Sequence, residues 1–164
     1  MSAGMPGGAF FRRWTGGVLM AGLLAGCLKV PDSEKIDFTT LVPPDRPNWA
    51  LACPPEECAG LAGTATPIMP LTPDRLAALA DEVIRAGPDV AFLGRVPDRL
   101  QYHYVQRSRF FGFPDLVTFE AVPVAGGAGF YLYSRSVYGY GDLGVNRQRV
   151  QDLVGRIAAR AGQK

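Results

Sequence analysis

The stretch GFYLYSRSVYGYGDLGVNRQRV, residues 129–150, changes its period partway along. From Gly129 to Ser136 neighbouring residues alternate between two sets, the two-residue repeat of a strand. Beyond Gly139, Gly141 and Gly144 the apolar positions open to a helical repeat, with Val150, Leu153, Val154, Ile157 and Ala161 along one side. The spacing predicts a strand that passes through a glycine-rich turn into a helix starting near Leu143, with Asp142 as its N-cap.

Three further strand-like runs lie upstream: DVAFLGRV (89–96), RLQYHYVQRS (99–108) and DLVTFEAV (115–122). Pro97-Asp98, Gly112 to Pro114 and Gly126-Gly127 divide them, and such short connections favour antiparallel neighbours. Ahead of the strands, TPDRLAALADEVIRAGP (72–88) has Thr72 to cap a helix, Pro73 at its first position and Gly87-Pro88 to stop it. Leu76, Leu79, Ala80, Val83 and Ile84 share one face. The expected fold class is α+β: a two-layer sandwich of a four-stranded antiparallel sheet with two helices on one face. The segment with Cys53 and Cys58 and the run GLAGTATPIMP (60–70) read as irregular. Alternation leaves one mixed set, drawn from residues such as Gln101, His103, Tyr131 and Arg135, on the face away from the helices. It is either an ordinary solvated face or an aromatic and basic surface for a ligand or partner, and the solvated reading carries more weight.

The N-terminus gives an address. Arg12 and Arg13 precede WTGGVLMAGLLAG, an uncharged run too short to span a bilayer comfortably, as in a signal peptide. It ends in LAGC, residues 24–27, which resembles the bacterial lipobox. Residues 1–26 are then a lipoprotein signal peptide and Cys27 the lipidated mature terminus, with a plain secretory signal or a retained anchor as the competing readings. Residues 27–47, rich in proline and charge, read as a flexible tether, and 48–164 as a single globular domain. The expected location is the cell envelope, facing the periplasm. Leu28 stands where an aspartate would favour retention at the inner membrane, so the outer membrane is the default.

Of 17 Lys+Arg, loss of Arg12 and Arg13 leaves 15, against 15 Asp+Glu. A neutral periplasmic protein is poorly suited to nucleic acid, and none is expected as a partner. With Cys27 acylated, Cys53 and Cys58 in CPPEEC are close enough for a small disulfide loop in an oxidising compartment. A metal site would need more soft ligands, and His103 is the one histidine in the sequence, so neither metal nor cofactor is expected.

SRFFGFPDLVTFEAV followed by YSRSVYGYGDLGVNRQRV resembles the family catalogued as domain of unknown function 1499, over about Asn48 to Ile157. The resemblance falls on Phe110, Phe111, Phe113, Asp115, Arg135, Ser136, Gly139, Asp142, Leu143, Gly144, Asn146, Arg147 and Arg149. The family often has two acidic residues before the strand, and Pro114 replaces the first here. A cysteine pair near the domain start is similar to a family feature. The resemblance implies no established activity.

A helix N-terminus offers free amides, and Arg107, Arg109, Arg135, Arg147 and Arg149 with Tyr138 and Tyr140 make a candidate site for a carboxylate or phosphate. A structural role competes: Asp142 caps the amides itself, the glycines serve turn dihedrals, and Arg135 pairs with Asp142 or Asp115. No motif assembles a nucleophile, base and oxyanion donors around Ser108, Ser134, Ser136 and His103, and His103 reads as a surface residue, so catalysis is not expected. Two functions remain. One is a membrane-held module binding an anionic or amphiphilic envelope ligand. The other is an assembly lipoprotein that docks an envelope protein on the free sheet face.

Overall fold

In a computed structural model the described residues are Met1, 34–61 and 63–163. Residues 2–26 of the expected signal peptide, Cys27 and residues 28–33 of the expected tether lie outside them.

The expected four strands form with nearly the expected bounds, as β3 (Val90–Arg95), β4 (Gln101–Arg107), β5 (Pro114–Val124) and β6 (Gly127–Ser136), each antiparallel to the next. They are not the whole sheet. Two strands from the segment expected to be irregular, β1 (Trp49–Cys53) and β2 (Thr64–Ala65), extend it beyond β6. The order is β2-β1-β6-β5-β4-β3, with β1 antiparallel to β6 and β2 parallel to β1. The sheet is therefore six-stranded and mixed, which overturns the four-stranded antiparallel expectation.

The short parallel step is possible because the chain between β1 and β2 is pinned. Cys53 and Cys58 are joined by a disulfide, with Cα atoms 5.3 Å apart, and a 3-10 turn follows at Cys58–Gly60. A Cβ on Gly63 would stand 2.6 Å from Cys53 Sγ, so glycine lets the returning strand lie against the bridge.

Helix α1 (Pro73–Arg85) starts as expected, with Thr72 Oγ1 accepting from Arg75 N at 3.3 Å, and buries Leu76, Ala77, Leu79, Ala80 and Ile84. Helix α2 (Val145–Ala161) buries Val150, Leu153, Ile157 and Ala161, and Asn146 with them. Both pack on the face formed by Ala52, Tyr104, Val117, Phe119, Phe130 and Leu132, which is the main core.

The opposite face is neither solvated nor open. Residues 34–47 lie across it as a strap. Phe38 is 1% exposed and stacks on Tyr131 at 4.4 Å between ring centroids, within a second apolar cluster that includes Leu51, Cys53 and Tyr133. Gln101 clamps the strap backbone, accepting from Ile36 N at 2.9 Å and donating to Ile36 O at 2.7 Å. Within the expected tether, residues 36–41 are thus packed on the sheet, while most of 42–47 is exposed. Proline and charge made it resemble a linker, but single apolar residues at Ile36, Phe38 and Leu41 are enough to cover a sheet that supplies the rest of the cluster.

Candidate functional site

The motif residues gather at one end of the sheet, where β4 ends, β5 begins and β6 runs into α2. Pairing of Asp115 with Ser136, and of Leu116 with Arg135, sets the two loops side by side.

The sheet divides the arginines. Along β6 Ser134 and Ser136 face α2, so Arg135 between them faces the strap, as does Arg107 on β4. Arg149, from α2, lies on the helix side. A single site using Arg135 together with Arg149 is therefore not formed.

Arg149 sits at the centre of a buried network. Its Nη2 donates to Asp115 Oδ2 at 2.7 Å, its Nη1 to Ser134 Oγ at 2.9 Å and Asn146 Oδ1 at 2.6 Å, and its Nε to Gln106 Oε1 at 2.7 Å. The Arg149 and Asp115 side chains are 10% and 9% exposed. Asn146 continues the network, with its Nδ2 donating to Asn48 O and to Ser136 Oγ, both at 2.9 Å. Asn48 Nδ2 in turn donates to Gly139 O at 2.9 Å. Arg149 rather than Arg135 is the partner of Asp115, and the pair ties β5, β6, α2 and the start of β1 together.

The turn into α2 differs from the expected cap. The helix begins at Val145 with Gly144 in the N-cap position, and Leu143 and Gly144 both have left-handed backbones, φ 55° and 83°. Asp142 still serves the helix end from two residues further back: Oδ1 accepts from Gly144 N at 2.9 Å and Oδ2 from Asn146 N at 2.7 Å. Burial alone would raise the Asp142 carboxyl, but these amides outweigh it and hold the group below the usual carboxylate range. The position an anionic ligand would take at this helix end is filled by the protein's own carboxylate.

The remaining candidates lie on the surface. Arg109 and Arg147 are exposed, and neither joins a salt bridge among the described residues. Arg107 donates through Nη1 to Gly112 O at 3.0 Å and so braces the β4–β5 loop. That loop is closed by Ser108, whose carbonyl accepts from Gly112 N and whose Oγ accepts from Phe113 N. Phe110 and Phe111 are carried to its tip, 88% and 77% exposed. Tyr138, Tyr140, Leu143 and Val145 are exposed on the neighbouring loop and helix start.

His103 is not a surface residue. It is 4% exposed beneath the strap, with Nδ1 3.0 Å from Thr118 Oγ1 and Nε2 without a partner among the described residues. Burial, and then the nearby Arg135 charge, lower its pKa, so the ring is neutral. A void of about 10 Å³ beside it, lined by Glu34, Ile36, Leu116 and Arg135 among others, has room for about one water. Ser134 and Ser136 are on the other side of the sheet, so His103 cannot serve either as a base.

An open cleft of about 340 Å³ lies between α1, α2 and the β3–β4 edge. Ile84, Val90, Val117, Val145 and Leu153 give it apolar walls, and Gln106, Gln148, Arg149, Asp152 and Arg156 polar ones. A guanidinium has five N–H donors, and the network uses four of those of Arg149. Sequence reasoning missed this cleft, and it missed Gln106 and Asn48 in the network. Gln106 shares the inward parity of Tyr102 and Tyr104, and a polar residue at an inward position was the available signal.

Residues 57–157 match the model of a family described as "Protein of unknown function (DUF1499)". No curated protein matches the chain.

Proposed function

The chain belongs to the DUF1499 family, a membership that assigns no activity, and we propose from the geometry that it is a membrane-anchored, non-catalytic envelope lipoprotein whose cleft beside α2 holds a small anionic or amphiphilic molecule. The observation that carries this is the cleft itself. It combines apolar walls with polar ones that include Arg149, whose network uses four of its five donors, the mixture expected of a ligand site. Arg156, also at the wall, is already engaged by Val83 O at 2.9 Å and paired with Asp152 at 3.4 Å, so the pair adds polarity to the wall and no net charge. The anchor in this reading is acylated Cys27, supported by the lipobox-like LAGC and by a disulfide suited to an oxidising compartment.

A native mass spectrum of the mature protein, purified gently from a bacterial envelope, tests the reading. A bound species that leaves on denaturation and is lost in Val145→Glu, an exposed position on the cleft wall where the fold is retained, is the expected result. A bare mass at every stage of purification, with no added amphiphile taken up, would count against it. The assembly alternative changes form, because the sheet face once open to a partner is covered by the strap; the exposed loop aromatics are what remains for docking.

A further inference from the structure

We propose that the end of the sheet bearing the 108–113 and 137–145 loops lies against the anionic leaflet that holds the acyl chains of Cys27. This rests on the anchor in the reading above and adds an orientation and a surface.

Phe110, Phe111, Tyr140 and Leu143 project from two adjacent loops, and Leu143 is fully exposed at 105%. Monomeric proteins seldom gather so many large apolar side chains at one place in water. Leu143 also holds a left-handed backbone, φ 55°, a conformation that is costly for a side chain other than glycine. The chemistry of the end fits a headgroup boundary. Aromatic and aliphatic tips enter the edge of the acyl region, and Arg109 and Arg147, exposed and outside any described salt bridge, meet lipid phosphates. Asp115 and Asp142 are engaged internally by Arg149 and by the α2 amides, whereas Glu34 and Asp89 are exposed carboxylates at the same end, so the arginines face the lipid in a mixed field and the apolar tips carry most of the contact.

The tether length agrees. Glu34 lines a recess with Leu116 and Arg135, near the start of β5 and the end of β6, so the chain enters the domain at the loop end. Cys27 lies seven residues before Glu34, a span of at most about 25 Å. The hairpin at the other end of β5 is eight strand residues beyond Leu116, about 27 Å away. The tether thus attaches nearer to the loop end than to the hairpin, which favours the loop end as the surface beside the bilayer, with the apolar tips supplying the orientation. Val145 belongs to both the loop end and the cleft, so docking sets the cleft beside the headgroups.

The test places an environment-sensitive fluorophore on Gly141→Cys, where an added side chain meets nothing within 4 Å, or on Ala125→Cys at the opposite hairpin. The whole mature protein is reconstituted into phosphatidylethanolamine vesicles with and without phosphatidylglycerol. The expected result is a blue shift and quenching by brominated lipid at position 141 only, reduced in Arg109→Gln/Arg147→Gln and on vesicles lacking the anionic lipid. Like behaviour of the two positions, or solvent-like emission at 141, would overturn the proposal. A photo-crosslinker at 141 that captures one specific protein in intact cells, with no lipid contact, would also overturn it and favour protein docking. Intact mass reads acylation separately. If Cys27 carries no acyl chain, the anchor reading fails, and the same label in a Cys27→Ser background with added vesicles still decides whether this end binds the bilayer.

Discussion

Replacing Arg149 with methionine separates a structural arginine from a ligand-binding one. The methionine keeps most of the apolar stem but removes the guanidinium, leaving the Asp115 carboxylate 9% exposed with no cation and taking one donor each from Ser134, Asn146 and Gln106. Breaking a buried ion pair from one side costs about 3–5 kcal/mol. Each neutral acceptor left without a donor adds about 1 kcal/mol where no water replaces it. A domain of this size has about 5–15 kcal/mol in total, so Arg149→Met is expected to unfold at much lower urea and to be partly unfolded at rest if the wild type lies near the lower bound. Adding Asp115→Asn removes the stranded charge and is expected to recover about 2 kcal/mol, a coupling that a double-mutant cycle reads directly. The assay is equilibrium urea unfolding followed by far-ultraviolet circular dichroism. A single variant within about 0.5 kcal/mol of wild type, the range of an ordinary surface substitution, would refute the network as a structural element and return Arg149 to the ligand.

Phe38→Ala is expected to cost about 3 kcal/mol in the same assay, as for a large core aromatic, whereas a free tether would show no change. His103 has a folded pKa below its unfolded value near 6.5, so the unfolded chain binds the extra proton first; stability should be full above that pH and fall as the pH drops through the folded pKa, and His103→Leu should flatten this part of the pH profile. Reducing the Cys53–Cys58 bridge opens a loop with a sequence separation of 5, for which chain entropy gives about 2 kcal/mol, to be measured as a shift of the urea midpoint with and without reductant. Gly127→Ala should destabilise by about 2 kcal/mol or more, read by thermal unfolding, because its φ is 150° and a Cβ would stand 2.0 Å from Met69 O.

The helices and the four-strand meander were legible because each carries its own periodic signal and its own stop residues. Strands β1 and β2 were not. Trp49–Cys53 is five residues, bounded by Pro47 and Pro54, and becomes a strand because β6 offers a free edge, a fact local pattern cannot express. The strap was hidden for a related reason: Ile36 and Phe38 are too sparse to suggest a core, and their partners lie a hundred or so residues or fewer away across the sheet. At the site, the residue types were found and their sides were not. Arg135 and Arg149 look equivalent in a motif, yet strand alternation sends the first beneath the strap while the helix brings the second to Asp115. The cleft depends on how α1 and α2 sit over the β3–β4 edge, which no segment encodes alone.

The Asn146 side chain bonds Asn48 O across 98 residues of sequence, joining the first sheet strand to the last helix. That long loop makes assembly order-dependent. A chain emerging N-terminus first presents β1 before either β6, its antiparallel partner, or Asn146, its latch, has been made. The two cysteines that bound the turn after β1 are by then already available, so the local bridge can form while the distant contacts are still missing. On this order the domain is expected to close only when its C-terminal helix arrives, and truncation just before Val145 should leave β1 able to pair with β6 but without the Asn146 latch and the α2 packing, a loss read as a lower urea midpoint.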